Sequence, residues 1–309
     1  MIRAARNPAG LSAIGFGARE PGGSGGRRPS SGEPAEAIRA ALDGGVNWID
    51  TAEVQGGGGG FERIVGEVIA GRPEAGVCTR VDPERDDHLG GKGIRAALEE
   101  SLTRLGRDRA EVALLHRPAE DVPVREAWEA LIRLKAEGLV GAIGLAGFPV
   151  AEVKACAATG ELDYLQVRAS LLHRSELSSL GPLCERYDVG LLVAGPLAHG
   201  LLAGGPPGGA DAGPADFRRA GIHARYFAPG VLPGHERTAA ALRAHAAGTR
   251  QSLPRLALRW LLARGEVTCA LVGARTAGHA ADSAAAAGPL LTADEFDEIN
   301  AVLALAEDH

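Results

Sequence analysis

Short apolar runs recur along the chain at Ala13–Phe16, Val46–Ile49, Val77–Thr79, Glu111–Leu115, Gly141–Leu145, Tyr164–Val167, Gly190–Ala194 and Val267–Val272. Between most of them, apolar residues repeat three and four positions apart, the spacing of a helix with one buried face. Those segments are Pro34–Leu42, Phe61–Ala70, Ile94–Leu105, Val124–Leu134, Val150–Ala158, Leu180–Tyr187, Ala239–Ala247 and Leu253–Leu262. The runs are continuously apolar rather than alternating, as expected of parallel strands covered by helices. Eight strand–helix units in 309 residues predict an α/β fold, a (β/α)8 TIM barrel. A doubly wound sheet is the competing arrangement, but no G-x-G-x-x-G follows an early strand. A last helix, Ala293–Leu305, carries Phe296, Ile299, Val302 and Leu303 on a face suited to sealing one side of the barrel. No second domain is visible, so residues 1–309 read as one barrel domain.

Three stretches interrupt the alternation: Pro21–Pro34, the glycine run Gly56–Gly60, and residues 203–235, rich in Gly and Pro. Each follows a strand, so a barrel places all three as long loops at its C-terminal mouth, where barrel enzymes keep their sites. Composition narrows the function classes. A formal net charge of −6 argues against a nucleic-acid partner bound through a basic face. No apolar run is long enough to span a membrane, and Met1–Gly17 lacks the profile of a secretion signal, so a cytoplasmic location is expected. Cys78, Cys156, Cys184 and Cys269 are widely spaced and read as buried free thiols. Neither they nor His173 and His223 show metal-ligand spacing, so no metal site is expected. The three lysines against 44 glycines point to GC-rich coding, which favours Arg over Lys.

Because barrel sites are built from strand ends, the polar residues there carry the candidate chemistry. The second strand ends in Asp50-Thr51-Ala52-Glu53-Val54-Gln55, the third in Thr79-Arg80, the fourth in His116-Arg117-Pro118, and the sixth holds Gln166. Asp50, Arg80 and His116 should converge from three neighbouring strands. An acid, a guanidinium and an imidazole in one cleft can stabilise a negative oxygen and move a proton. The plainer alternative is an Asp–Arg pair tying two strands, with His116 a satisfied core histidine.

Taken in order, several motifs resemble the aldo-keto reductase superfamily over nearly the whole chain: Ile14-Gly15-Phe16-Gly17, Ala41 to Glu53, Glu100 to Gly106, Ala113 to Pro118, Ala142-Ile143-Gly144, Leu165-Gln166-Val167, Pro196 to Leu202, and Val272 to Thr276. The resemblance implies a (β/α)8 barrel that reduces carbonyls with NADPH, or less often NADH, without a Rossmann domain. Of the tetrad Asp, Tyr, Lys and His that it implies, Asp50 and His116 match, whereas Gln55 stands at the tyrosine position and Arg80 at the lysine position. Gln55 has no proton to give at useful acidity, and Arg80 stays charged, able to hold an oxyanion but not to shuttle a proton. His116 or Glu53 is then the remaining acid or base. Tyr226, beside Asp216-Phe217-Arg218 in the long loop, is a more remote surrogate.

The resemblance also implies a dinucleotide site. Gln166 matches the nicotinamide-holding glutamine, while Ala146-Gly147 replaces a Ser-Asn pair and Ala194 a stacking aromatic residue. Pro196, Leu197, Gly200 and Leu202 correspond to the pyrophosphate loop, and Gly273, Arg275, Thr276, His279 and Asp282 to the adenosine side. His199 and Arg27-Arg28 read as solvated loop residues, or as groups facing a phosphate. Three functions stay open: an NADP(H)-linked oxidoreductase acting on a small carbonyl or sugar-like substrate with a non-standard proton donor; a lyase, dehydratase or isomerase using His116 and Glu53; or a cofactor-binding pseudoenzyme. Neither substrate nor oligomeric state is legible.

Overall fold

The computed structural model describes residues 6–18, 32–53, 58–82, 91–117, 124–203 and 224–307. Eight parallel strands close into a barrel in sequence order: β1 (Ile14–Gly17), β2 (Trp48–Ala52), β3 (Gly76–Val81), β4 (Ala110–His116), β5 (Val140–Ala146), β6 (Tyr164–Arg168), β7 (Gly190–Ala194) and β8 (Val267–Val272), with β8 pairing back onto β1. Helices α1 (Gly32–Asp43), α2 (Gly60–Ile69), α3 (Gly91–Leu105), α4 (Arg125–Ala136), α5 (Val150–Ala157) and α6 (Ser175–Tyr187) follow the first six strands. The short α7 (Ala224–Phe227), then α8 (Leu232–Gly248) and α9 (Leu253–Leu262), lie between β7 and β8, and α10 (Ala277–Ala284) and α11 (Ala293–Glu307) close the chain. The TIM barrel expected from the alternating pattern is therefore the fold.

Alternation along each strand sorts side chains into two cores. Outward residues such as Ile49, Val77, Ala113, Ile143, Leu165, Leu191 and Ala270 join the helix faces in one large cluster. Inward residues, Trp48, Cys78, Val112, Leu114, Ala142, Tyr164, Leu192 and Cys269, fill the barrel itself, with Leu11 packed among them. The interior fits because large side chains face bare backbone: a Cβ on Gly15 would lie 2.4 Å from the Trp48 ring. Below Tyr164, its hydroxyl accepts from the Ala9 N–H (3.0 Å) and donates to Asn7 Oδ1 (2.8 Å), tying residues 7–11 across the N-terminal end. One end of the barrel is thus plugged, and inward positions at the other are left for chemistry.

Helix ends follow ordinary capping rules. Ser252 accepts from the Arg255 N–H at the start of α9, and Thr276 from the His279 N–H at the start of α10. Thr292 and Glu295 form a reciprocal capping box at α11, and those bonds hold the Glu295 carboxyl below its usual range. As expected, α11 buries Ile299 and Leu303, and Phe296 stacks on Trp260 at 5.9 Å, covering the α8–α9 side.

The differences from expectation are local. Residues 203–235 are not wholly irregular, since α7 and the first turn of α8 lie inside them; Pro233 fits that first turn, where its missing N–H costs nothing. α6 starts at Ser175 rather than Leu180 and carries Pro182 inside it. α10 was not anticipated, because its Ala-rich sequence offers little contrast between faces. Arg27-Arg28, Gln55, Pro118, Asp216-Phe217-Arg218 and His223 lie outside the described residues.

Candidate active site

The inward parity that packs Trp48, Cys78, Leu114 and Tyr164 continues two residues further up each strand to Asp50, Arg80, His116 and Gln166. Ala146 on β5 pairs with His116 and with Gln166, and Arg168 on β6 pairs with Ala194. Register alone therefore delivers these residues to one rim.

Asp50, Arg80 and Gln166 are 2%, 5% and 5% exposed, and they form a closed polar group. Gln166 Nε2 donates to Asp50 Oδ1 (3.3 Å), Arg80 Nη1 donates to Gln166 Oε1 (3.4 Å), and Arg80 Nη2 stands 3.3 Å from Asp50 Oδ2. Arg80 Nε reaches the Thr51 carbonyl at 3.4 Å. Every one of these contacts is longer than a well-made charge-assisted bond of about 2.8 Å. Arg80 Nη2, although close to Asp50, is not aligned to donate to it and has no hydrogen-bond partner. Asp50 also accepts from the Cys78 thiol; burial and that carboxylate together push Cys78 well above the usual thiol range.

Arg80 and His116 open into one pocket with Ala146, Gly147, Gln166, Val167, Arg168, Ala194, Gly195 and His199. The pocket encloses about 40 Å³, enough for a few waters. His116 is part-exposed, with Nδ1 3.5 Å from Asp82 Oδ2, so that carboxylate orients the ring and leaves the other nitrogen for a ligand. Asp82 is held in turn by Glu53, whose Oε1 accepts its main-chain N–H at 2.9 Å.

Glu53 is thus placed differently from Asp50, Arg80 and His116. It is 1% exposed, does not line the pocket, and supports Asp82 from behind. Gln55 lies outside the described residues. Two residues at the site, Asp82 behind the rim and Arg168 in the pocket, escaped sequence reasoning. Asp82 and Arg168 each sit two positions beyond a residue already singled out, on the same side by strand parity. His199, read as a solvated loop residue or a group facing a phosphate, lines the pocket, held there by a turn in which Ala198, His199 and Gly200 all have positive φ (48°, 53° and 104°). Two of the three are non-glycine residues in the left-handed region, a strained arrangement characteristic of ligand sites. Tyr226 is buried, with its ring edge-on to His199 at 5.1 Å.

Among the residues matched to a dinucleotide site, Gly273, Arg275, Thr276 and His279 are exposed around the start of α10, where main-chain N–H groups and the helix dipole favour an anion. Asp282 is committed to Ser252 Oγ (2.5 Å) and Arg255 Nη2 (2.8 Å), joining α10 to α9. In the β7 loop Pro196 is buried, Leu197 half-buried and Gly200 exposed, while Leu202 is sunk in the outer core, leaving only its backbone for a ligand. No cluster of three or more His, Cys, Asp or Glu suited to a metal occurs among the described residues, and no described helix is long and apolar enough to cross a membrane.

Comparison with known proteins decides the family. Residues 13–304 match the Aldo/keto reductase family. The chain belongs to that family. Among curated relatives, it is 28% identical over 267 residues to the NADH-specific methylglyoxal reductase of Escherichia coli (strain K12), covering 78% of each chain. It is 29% identical over 281 residues to the aldo-keto reductase YhdN of Bacillus subtilis (strain 168), covering 87% of this chain and 82% of that one. Among solved structures, the glycerol dehydrogenase AKR11B4 from Gluconobacter oxydans superimposes with a TM-score of 0.83 at 27% identity, over 97% of this chain and 93% of that one.

Proposed function

We propose that this family member is a nicotinamide-dependent oxidoreductase that interconverts a small carbonyl compound and its alcohol, with His116 as the proton-transferring group and Arg80 as the oxyanion clamp. The observation that carries it is the rim itself: an under-bonded buried guanidinium and a carboxylate-oriented imidazole share one pocket. The names of two relatives, a NADH-specific methylglyoxal reductase and a glycerol dehydrogenase, support a carbonyl–alcohol couple.

The residues present fit a dinucleotide. At the adenosine end, exposed Arg275 and the positive end of the α10 dipole suit a phosphate. At the other end, Ala146, Gly147, Ala194 and Gly195 make a wall beside Gln166 with no side chain larger than a methyl. NADPH or NADH when bound supplies a hydride to the carbonyl carbon and takes it back in the reverse direction.

The protein's own groups handle the oxygen. As the C–H bond forms, the carbonyl π pair moves onto oxygen, where the Arg80 guanidinium that lines the pocket meets the developing charge. Protonated His116 then gives its proton to that oxygen and regains one from solvent, to which it is part-exposed. Asp50 keeps Arg80 and Gln166 in place, and the chain Glu53–Asp82 keeps His116 in place. In this assignment Gln55 carries no proton. Nothing favours a lyase or isomerase built on a His116–Glu53 pair, since Glu53 lies behind Asp82.

Loss of nicotinamide absorbance with a panel of small aldehydes and ketones, alongside nucleotide titration by Trp fluorescence, tests the reading. Turnover is expected, and His116→Ala should lower kcat by about 10²–10⁴ while leaving the far-UV spectrum intact. Absence of nucleotide binding at millimolar concentration, or an unchanged kcat in that variant, overturns it.

A further inference from the structure

Tyr226 is 2% exposed although it sits on α7, a helix of four residues, too short to hold itself together. Its surroundings fix it instead. Its main-chain carbonyl meets His235 Nδ1 of α8 at 3.0 Å. Its ring lies edge-on to His173, with 5.7 Å between centroids, and edge-on to His199 at 5.1 Å, with the His235 ring at 6.0 Å. His173 is itself anchored, since it exchanges two main-chain bonds with Ser170 (2.9 and 3.1 Å) and its Nε2 meets Ser175 Oγ at 3.1 Å. The phenol ring is thus wedged between an anchored imidazole after β6 and a second imidazole after β7. That second one belongs to the pocket: His199 is among its lining residues, and Tyr226 is not. The turn that carries His199 does not aim the ring by itself. Ala198 N–H to Gly195 O (3.0 Å) and Gly200 N–H to Leu197 O (3.0 Å) set the backbone path only. Ala198 and His199 are held in the left-handed region, which persists where the surroundings over-determine it. A Cβ on Gly195 would lie 4.0 Å from His199 Nε2, so the imidazole stands over bare backbone in a wall otherwise made by Ala146, Gly147 and Ala194.

We propose that Tyr226 is a positioning residue for the dinucleotide, acting through His199: it presses the imidazole into the pocket wall, where that ring meets the bound cofactor. Edge-on ring pairs are directional, so the phenol ring sets where the imidazole points as well as how far it sits from the strand ends. Tyr226 supplies packing here rather than a proton, because it is buried behind His199. The ligand's identity rests on the nicotinamide reading above; the Tyr226–His199 unit does not.

A double-mutant cycle separates positioning from general support of the fold. NADPH is titrated by Trp fluorescence into the wild type, Tyr226→Leu, His199→Ala and the double variant. Tyr226→Leu should weaken binding about tenfold, acting on the KM for nucleotide rather than on kcat, whereas Tyr226→Phe, which keeps the ring, should stay within about twofold of the wild type. In the His199→Ala background, Tyr226→Leu should add almost nothing. Additive losses around the cycle, or a loss in Tyr226→Phe equal to that in Tyr226→Leu, would overturn the inference. A second measurement needs no variant. In the wild-type protein, nuclear Overhauser contacts between the His199 and Tyr226 ring protons are expected, together with a shift of the His199 Hε1 resonance on addition of NADPH. Missing ring contacts, or an unmoved resonance in protein that binds NADPH, would also overturn it. Ring contacts in a protein that binds no nucleotide would sink the nicotinamide reading, and the ligand assigned to this wall with it, while the ring pair itself stands.

Discussion

Replacing Arg80 by Met tests whether the rim is an energetically coupled unit. The substitution retains an unbranched side chain but leaves the Asp50 carboxylate, 2% exposed, with only the Gln166 amide and the Cys78 thiol as partners. At the observed 3.3 Å, unit charges attract by about 5 kcal/mol at an effective dielectric of about 20. Desolvation of the guanidinium, no longer required in the variant, offsets part of that, and stranding one buried charge has a net cost of about 3–5 kcal/mol. The long contacts of Arg80 place this pair at the lower end, about 3 kcal/mol. Asp50→Asn in the same background removes the stranded charge, so the double variant should recover at least about 1.5 kcal/mol of the loss. Urea unfolding followed by far-UV circular dichroism reads it: at a slope of about 3 kcal/mol/M, Arg80→Met lowers the midpoint by about 1 M, and the double variant regains about half. Strictly additive losses from the two single substitutions would refute the coupling and reduce Arg80 to an unpaired rim cation.

Further outcomes follow from other parts of the molecule. Arg104→Ala should destabilise by about 3–5 kcal/mol, because Glu62 is fully buried between Arg104 Nε (2.6 Å) and the Thr79 hydroxyl (2.8 Å); Glu62→Gln in that variant should restore part of the loss in the same urea assay. Gly15→Ala drives a methyl into the Trp48 ring, an overpacking cost of about 1–3 kcal/mol visible as a lower Tm and altered Trp emission. Asp82→Asn should lower kcat at least about tenfold, since it releases the His116 ring; a change in KM alone would contradict that positioning role. The four thiols should be silent to Ellman's reagent at about pH 8 until the protein unfolds, because burial raises every one, Cys156 to about 11 and Cys184 to about 12. As the folded thiols stay neutral where unfolded ones ionise, their contribution is intact below about pH 9 and declines as pH rises toward the folded values.

What the sequence made legible was governed by hydrophobic contrast. Val267–Val272 and Gly190–Ala194 coincide with β8 and β7 because each is a short buried run bounded by polar or glycine residues. The Ala-rich α10 went unread because alanine marks neither face of a helix. Asp50, Arg80, His116 and Gln166 could be placed on one rim from strand ends, since parity and topology fix direction without any contact being known. Arg168 and Asp82 were overlooked although the same parity points them inward, because the motifs near them stop two residues short. His199 depends on a left-handed turn that no local pattern announces. Glu53, beside the Asp50 motif, looked equivalent to it; the bond to the Asp82 N–H, set by how β3 leaves the barrel, makes it a support.

The direct test of the central claim is isotopic. The protein is supplied with a dinucleotide deuterated at the reactive nicotinamide carbon and with the small aldehyde of the panel that it turns over fastest, and the alcohol is analysed by mass spectrometry. Deuterium at the carbinol carbon in the wild type, and its near disappearance in His116→Ala at equal nucleotide occupancy, is the predicted result. Unlabelled product, or undiminished labelling without His116, would contradict the assignment.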